Sequence, residues 1–318
     1  MDQPEQVSPT PPGREVGPLG SPAVPPGSPA VPHGSSVGPV RRRVPHALAV
    51  RHVTVVAVLR VTPTIVRVTL AGSELAGFES TGPTDHVKVF FPDPLTGELS
   101  APTVTAEGLQ PPAHGTAISR LYTPRAFRAR GKSGLPELDL DLVLHASVPD
   151  GVGPAAAWAA RAAVGDPLVV SGPKTSKLTP EGFTSFLLAC DETALPAVAR
   201  WLELLPAGTP VRVLVEISSV EDEAYLPMVP RGTEVLWLRR NGLPGTSRVL
   251  EQAVRACGPI GAGTYVWAGG EAGSLVGVRR YLRRELGLPG HQVEFEGFWR
   301  LGADNFDHHA PIDPADAG

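Results

Sequence analysis

Beyond residue 43 the chain runs in short stretches whose apolar and polar positions follow the two-residue period of strands. Val53-Thr54-Val55-Val56-Ala57-Val58-Leu59-Arg60-Val61 is rich in β-branched side chains, and Ile65-Val66-Arg67-Val68-Thr69-Leu70 alternates apolar and polar residues. The same signal predicts strands over 86–91, 117–122, 138–145 and 167–170, separated by turn residues such as Gly82-Pro83 and Pro92-Asp93-Pro94. A single helix is predicted over 154–163, closed by Gly165-Asp166. Many short strands with one intervening helix suggest a closed or nearly closed antiparallel barrel.

The pattern changes after Gly172-Pro173. Strands predicted over 183–189, 211–217, 233–238, 264–268 and 292–297 alternate with helices over 194–205, 246–256 and 274–286. That alternation implies a parallel sheet covered on both faces. The domain reading is a leader over 1–43, a barrel over 44–178, an α/β domain over 179–302 and a tail over 303–318.

Composition narrows the function classes. Residues 1–40 hold 11 Pro, 6 Gly and no aromatic residue, too little apolar surface to offset ordering entropy, so a disordered leader is expected. Hydrophobic residues make up 42% of the 318, enough for real cores. A net charge of −4 argues against a general nucleic-acid binder. Two cysteines form no disulfide framework, no apolar run is long enough for a membrane span, and the first residues carry no secretory signal, so a cytoplasmic protein is expected. Only four residues are Lys, so Arg carries most of the positive charge.

The densest chemistry is Arg120-Leu121-Tyr122-Thr123-Pro124-Arg125, at the end of a predicted strand. A flavin site needs a planar aromatic wall, a hydrogen-bonding group near the reactive ring nitrogen and a cation for the phosphate. The hexapeptide offers all three, although taken alone it also fits an edge strand with a half-buried Tyr and solvated arginines. Downstream, Gly151-Val152-Gly153 leads into Pro154 at a first helical position, followed by Ala155-Ala156-Ala157-Trp158. The free N–H groups of such a helix start suit a pyrophosphate. His145, just before it, reads either as a ligand contact or as a core histidine.

These motifs occur in order with Asp191-Glu192-Thr193-Ala194-Leu195-Pro196-Ala197, Trp237-Leu238-x-Arg240, Trp267-Ala268-Gly269-Gly270-Glu271-Ala272 and Gly297-Phe298-Trp299-Arg300-x-Gly302. Together they resemble the siderophore-interacting proteins, flavin-dependent ferric-siderophore reductases of the ferredoxin–NADP reductase superfamily. The resemblance spans roughly residues 44–302. Cys190 stands where Gly is expected, and Phe298 where Tyr is usual.

The resemblance implies an antiparallel FAD-binding β-barrel followed by a parallel-sheet nicotinamide-binding domain, with NADPH or NADH as electron donor. Tyr122 would stack on the isoalloxazine, Thr123 approach its reactive nitrogen, and Arg120 meet the phosphate, with Arg125 beside them. His145 and Gly153, Pro154, Ala155 and Ala156 would complete the pyrophosphate cradle. Asp191, Glu192 and Thr193, with Gly269, Gly270 and Glu271, would lie at the nicotinamide edge, and Trp299 in the last motif would join the cofactor contacts. Glu221, Asp222 and Glu223 would repel a 2′-phosphate, whereas Arg239 and Arg240 would attract one.

The implied reaction passes a hydride from NAD(P)H to FAD and then single electrons to a ferric siderophore. The protein itself need supply no metal ligand and no nucleophile. An open basic approach would suit a bulky anionic chelate, with Arg67, Lys88, Arg125 and Lys174 as candidates. The alternatives are a general flavin reductase serving a ferredoxin or a quinone, and a non-catalytic siderophore binder. His308-His309 with Asp304, Asp307 and Asp313 reads as a solvated tail, and Cys190 and Cys257 as packing residues.

Overall fold

A computed structural model describes residues 41–144, 153–240, 242–303, 306–313 and 315. The first lobe contains β1 (Arg43–Pro45), β2 (Val50–Thr62), β3 (Ile65–Ala71), β4 (Val87–Phe91), β5 (Thr103–Thr105), β6 (Gly108–Gln110), β7 (Ile118–Tyr122), β8 (Pro124–Arg128), β9 (Glu137–Val143), helix α1 (Pro154–Arg161), β10 (Pro167–Ser171) and β11 (Thr175–Lys177). Seven of these strands form one antiparallel sheet in the order β7-β4-β10-β2-β3-β9-β8. Its concave face buries Val55, Val68, Leu70, Val87, Leu138, Leu140 and Val170, and α1 adds Trp158 and Ala159 to that core.

β9 shows why strand periodicity was informative here. Leu138, Leu140 and Leu142 enter the barrel core, while Glu137, Asp139 and Asp141 point the other way. The acids are buried too, because basic partners cover them: Arg128 holds Glu137 and Asp139, and Arg67 holds Asp141.

The second lobe contains β12 (Ser185–Asp191), α2 (Leu195–Leu204), β13 (Val211–Ile217), β14 (Thr233–Arg239), α3 (Val249–Ala256), β15 (Thr264–Glu271), α4 (Ala272–Arg280) and β16 (Val293–Trp299). Its five strands are parallel, in the order β14-β13-β12-β15-β16. α2 packs Leu195, Val198 and Trp201 on one face, and α3 and α4 pack Leu250, Val254, Leu275 and Val278 on the other. The barrel-then-α/β architecture expected from the alternation is therefore present.

The seam between the lobes is polar and well paired. Ile65 of the barrel is buried in the α2-side core. Asp222 accepts from Thr62 Oγ1 at 2.7 Å and from Thr64, and Tyr225 donates its hydroxyl to Asp141. Arg200 of α2 donates to the carbonyls of Ser80 and Gly82, at 2.8 Å in each case.

The folded body begins before residue 44. Arg41 donates from Nε to Leu178 O at 2.7 Å, lies over the Trp201 ring and pairs with Glu294, and Arg43 opens β1 opposite Lys177. Arg41, Arg42 and Arg43, assigned to the leader on composition, thus belong to the fold. Their pairing partners are remote in sequence and left no local signal.

Candidate functional site

The hexapeptide does not continue one strand past Tyr122. β7 ends at Tyr122 and β8 begins at Pro124, and these two strands are the opposite edges of the seven-stranded sheet. Thr123 alone connects them, which is where the barrel curls towards closure. Arg120 and Tyr122 share one face of β7, and Pro124 starts a new strand against Leu140.

The Tyr122 ring is fixed from behind. Phe91 meets it edge-on with centroids 6.1 Å apart, and Trp158 of α1 meets Phe91 edge-on at 5.3 Å. Burial pushes the Tyr122 phenol well above the usual range, so it stays neutral. Thr123 is buried, and its hydroxyl makes no hydrogen bond among the described residues.

Arg120 is half-buried and gives one bond, Nη1 to the Ser119 carbonyl at 2.8 Å. No carboxylate faces it among the described residues, unlike Arg67, Arg125 and Arg128, which are all paired. A guanidinium with idle donors beside an aromatic ring and a free hydroxyl is the donor set a phosphorylated flavin requires. At the neighbouring helix start Gly153 is the N-cap, Pro154 is the first helical residue, and a Cβ on Gly153 would meet nothing. Ala157 N makes the first intrahelical bond, to Gly153 O, leaving the N–H groups of Ala155 and Ala156 for a ligand. His145 lies outside the described residues.

The second cluster lies at the carboxyl ends of β12 and β15. The strand order reverses between these two strands, which is where open α/β sheets bind ligands. The structure brings the sequence motifs together here. Asp191 accepts from Thr193 N at 2.9 Å, Glu271 N at 2.7 Å and Trp299 Nε1 at 3.1 Å. Glu271 in turn caps α4 through Ser274 N at 2.7 Å and accepts from Leu301 N at 3.2 Å. Gly270 has φ +140°, and a Cβ there would sit 2.6 Å from the Asp191 carboxyl carbon, so only Gly fits. The two carboxylates hold the loops at this edge in place.

Glu192 and Arg240 form a buried clamp that sequence reading did not anticipate. Arg240 donates to both Glu192 oxygens, at 2.6 and 3.0 Å, and to Glu216 at 2.7 Å. Burial, with Asp191 beside it, pushes the Glu192 carboxyl up to about 7, and Arg240 opposes that rise. Arg240 is therefore committed to two carboxylates, which corrects its reading as a 2′-phosphate contact; Arg239 next to it is exposed. Asp222 is likewise buried and accepts from Thr62 and Thr64.

Other candidates sort by their partners. Arg67 is locked bidentate on Asp141 at 2.7 Å, and Arg125 pairs with Glu203 of α2 at 2.7 Å, so both tie the structure together and their charge is neutralised. Lys88 and Lys174 are exposed and meet no carboxylate among the described residues. They lie at one end of the barrel, since Lys88 pairs in register with Ser171 and Leu121. Cys190 is fully buried in β12 with its thiol pushed up by burial, and Phe298 packs against Trp267.

The tail is not solvated throughout. Ile312 is buried in the α4-side core, Asp313 accepts from Arg280 at 2.7 Å, and His308 packs against His86. Among the described residues no group of three or more His, Cys, Asp or Glu is arranged to hold a metal ion. Among the described residues no helix is long and apolar enough to cross a membrane.

Comparison with known proteins adds an independent line. Residues 54–177 match the siderophore-interacting FAD-binding domain, and residues 183–302 match the siderophore-interacting protein model. The NADPH-dependent ferric-chelate reductase of Escherichia coli is 33% identical over 261 residues, 81% of this chain and 96% of that one. The ferric vibriobactin reductase ViuB of Vibrio cholerae is 29% identical over 252 residues, 78% of this chain and 89% of that one. A crystal structure of a siderophore utilization protein from T. fusca is 39% identical, covers 85% of this chain and all of that one, and superposes with a TM-score of 0.76.

Proposed function

Because the chain belongs to the siderophore-interacting protein family, we propose that it is an FAD-dependent oxidoreductase that uses NADPH to reduce ferric siderophores in the cytoplasm and releases Fe(II). The observation that carries this reading is the Arg120–Tyr122–Thr123 corner: an unneutralised guanidinium, a braced aromatic ring and an idle hydroxyl within four residues. Arg120 and the α1 start would hold the FAD phosphates, Tyr122 would carry the isoalloxazine, and Thr123 would bond its edge. The β12–β15 edge, shaped by Asp191, Gly270 and Glu271, would receive the nicotinamide, and exposed Arg239 the 2′-phosphate.

Bound FAD supplies the conversion between a two-electron donor and a one-electron acceptor. Reduction releases the metal because hard oxygen ligands hold Fe(II) more weakly than Fe(III). The protein then need not ligate iron; it has to bring a bulky, anionic chelate near the flavin. Exposed Lys88 and Lys174 suit that approach, and Arg67 does not, because Asp141 already neutralises it.

The test is the visible spectrum of the purified holoprotein, followed anaerobically as NADPH or NADH is added, then as a ferric siderophore is added with an Fe(II)-trapping dye. The expected result is a flavin spectrum bleached faster by NADPH and restored by the chelate as the Fe(II) colour grows. A flavin that NADPH bleaches but no ferric chelate reoxidises would overturn the acceptor assignment. A colourless protein that takes up no FAD would overturn the whole reading.

A further inference from the structure

The inward row of β2 runs Arg51, Val53, Val55, so a charged side chain closes a row that otherwise joins the barrel core. Arg51 is only 8% exposed. Its guanidinium lies over the Phe78 ring at 5.4 Å, and Phe127 braces that ring at 5.1 Å. Nη1 donates to the Gly172 carbonyl at 3.1 Å. Nε is buried without a hydrogen-bond partner, and Nη2 gives no bond among the described residues.

Burial alone pulls this guanidinium below its usual range, with no acid near enough to oppose it among the described residues. The two unbonded nitrogens form one edge of the group. By that same edge Arg67 grips both Asp141 oxygens at 2.7 Å, and Arg280 grips Asp313 at 2.7 and 3.0 Å. A buried guanidinium is costly until an anion pairs with it, and a carboxylate fits the fork with two parallel bonds.

Arg51 lines a cavity of about 250 Å³ whose other walls include Pro45, Ala47, Gly77 and Pro173. That is roughly eight water volumes at about 30 Å³ each, room for an acid of a few carbons. The remaining polar walls already have partners: His46 meets Ser176 Oγ at 2.7 Å and the Glu79 carboxylate at 3.4 Å. Glu79 is largely exposed, and its charge disfavours any anion carrying more than one negative charge. Two strands, β10 and β4, separate β2 from β7 in the sheet, and none of the lining residues belongs to the flavin corner.

We propose that this cavity binds a small monocarboxylate, held by the Nε–Nη2 edge of Arg51 and packed against Pro45, Ala47 and Pro173. The site is separate from the flavin and independent of which electron acceptor the protein serves.

The test is thermal unfolding of the full-length protein as purified, at one ionic strength set with chloride. Acetate and benzoate are compared with acetamide, benzamide and inorganic phosphate. The two carboxylates should raise Tm by several degrees near saturation, and the amides and phosphate should not. Arg51→Met exchanges an uncompensated buried charge for an apolar chain of similar length, so the ligand-free variant should be at least as stable as the unaltered protein. It should weaken carboxylate binding by about ten-fold or more, and Arg51→Lys, which keeps the charge without the fork, should weaken it too. Arg120→Ala should leave the response intact. A response that survives Arg51→Met, or that Arg120→Ala abolishes instead, would put the anion elsewhere and overturn the proposal. Equal shifts from carboxylates and amides, or no shift at all, would do the same. Should Arg51→Met fail to fold, the Arg51 Nε–H resonance of the unaltered protein, assigned with Arg51→Lys, decides the matter. A saturable shift on adding acetate supports the site, and an unmoved resonance rejects it.

Discussion

Trp299 Nε1 donates to Asp191 Oδ2 at 3.1 Å, across 108 residues of sequence. The same carboxylate accepts the backbone N–H of Thr193 and of Glu271, so one side chain gathers the ends of β12, β15 and β16. Asp191→Ala removes the acceptor of all three donors. With about 1.5–3 kcal/mol for each hydrogen bond to a charged group, partly replaced by water at the sheet edge, a loss on the order of 3 kcal/mol is expected. Flavin reduction by NADPH should slow as well, because the nicotinamide edge loses its shape. Denaturant midpoints and stopped-flow bleaching measure the two effects. Lower stability with an unchanged bleaching rate would show that Asp191 only stabilises the fold.

The flavin corner makes a second, separable prediction. Tyr122→Ala removes a braced stacking surface worth about 1 kcal/mol beyond its buried area, and Arg120→Ala removes charge-assisted phosphate bonds worth about 1.5–3 kcal/mol. Both variants should purify with less FAD, the Arg120 variant more severely. Flavin content per chain and FAD titration of the apoprotein check the order. Full occupancy in both would remove the corner from the flavin site.

What the sequence made legible follows from the range of the forces involved. Strand alternation and the switch to βα alternation are local, so both lobes and nearly every long element were readable, with β13 matching its expected bounds over Val211–Ile217. β8 was missed because Pro124 reads as a breaker, while Pro at the first residue of an edge strand loses no ladder bond. The corner residues stood out as a candidate set because they are contiguous. The Arg240 clamp was not, because its partners Glu192 and Glu216 are 48 and 24 residues away and come together only through parallel pairing. Arg67 looked like a free cation for the same reason: Asp141 is 74 residues distant and opposite it in the β3–β9 register. The tail's acids and histidines suggested solvent, and only its placement against His86 and Arg280 revealed the anchors.

Arg67 and Lys88 should therefore respond oppositely to neutralisation. Arg67→Ala leaves Asp141 buried with, among the described residues, only the Tyr225 hydroxyl as partner, and breaking a buried pair from one side costs about 3 kcal/mol or more. The acceptor KM should hold. Lys88→Ala touches an exposed, unpaired charge and should change stability by less than about 0.5 kcal/mol. It should raise KM for an anionic ferric chelate and flatten its rise with ionic strength, since salt screens such attraction over about 8 Å at 0.15 M. A Lys88 variant with unaltered salt dependence would take that residue out of the approach surface.

The Glu192 carboxyl gives the fold a pH signature. Burial, reinforced by Asp191, raises it from 4.5 unfolded to about 7 folded, against the pull of Arg240. Between those values the folded protein keeps a proton that the unfolded chain has released. The folded state then binds more protons, so stability contributed by this group is complete below about pH 4.5 and falls as pH rises towards 7, levelling above it. Glu216, also raised chiefly by burial, adds to the same slope. Other carboxylates such as Glu137 and Asp139 are held low and slope the opposite way, so the total curve does not isolate the effect. The comparison with Glu192→Gln does, because Gln keeps a similar shape and carries no titrating proton. Relative to that variant, the unaltered protein should lose on the order of 1–3 kcal/mol between pH 5 and pH 8. Denaturant midpoints at several pH values for both proteins give the difference directly. Parallel curves would mean that Arg240 fully compensates the buried charge, and that Glu192 is ionised throughout the range.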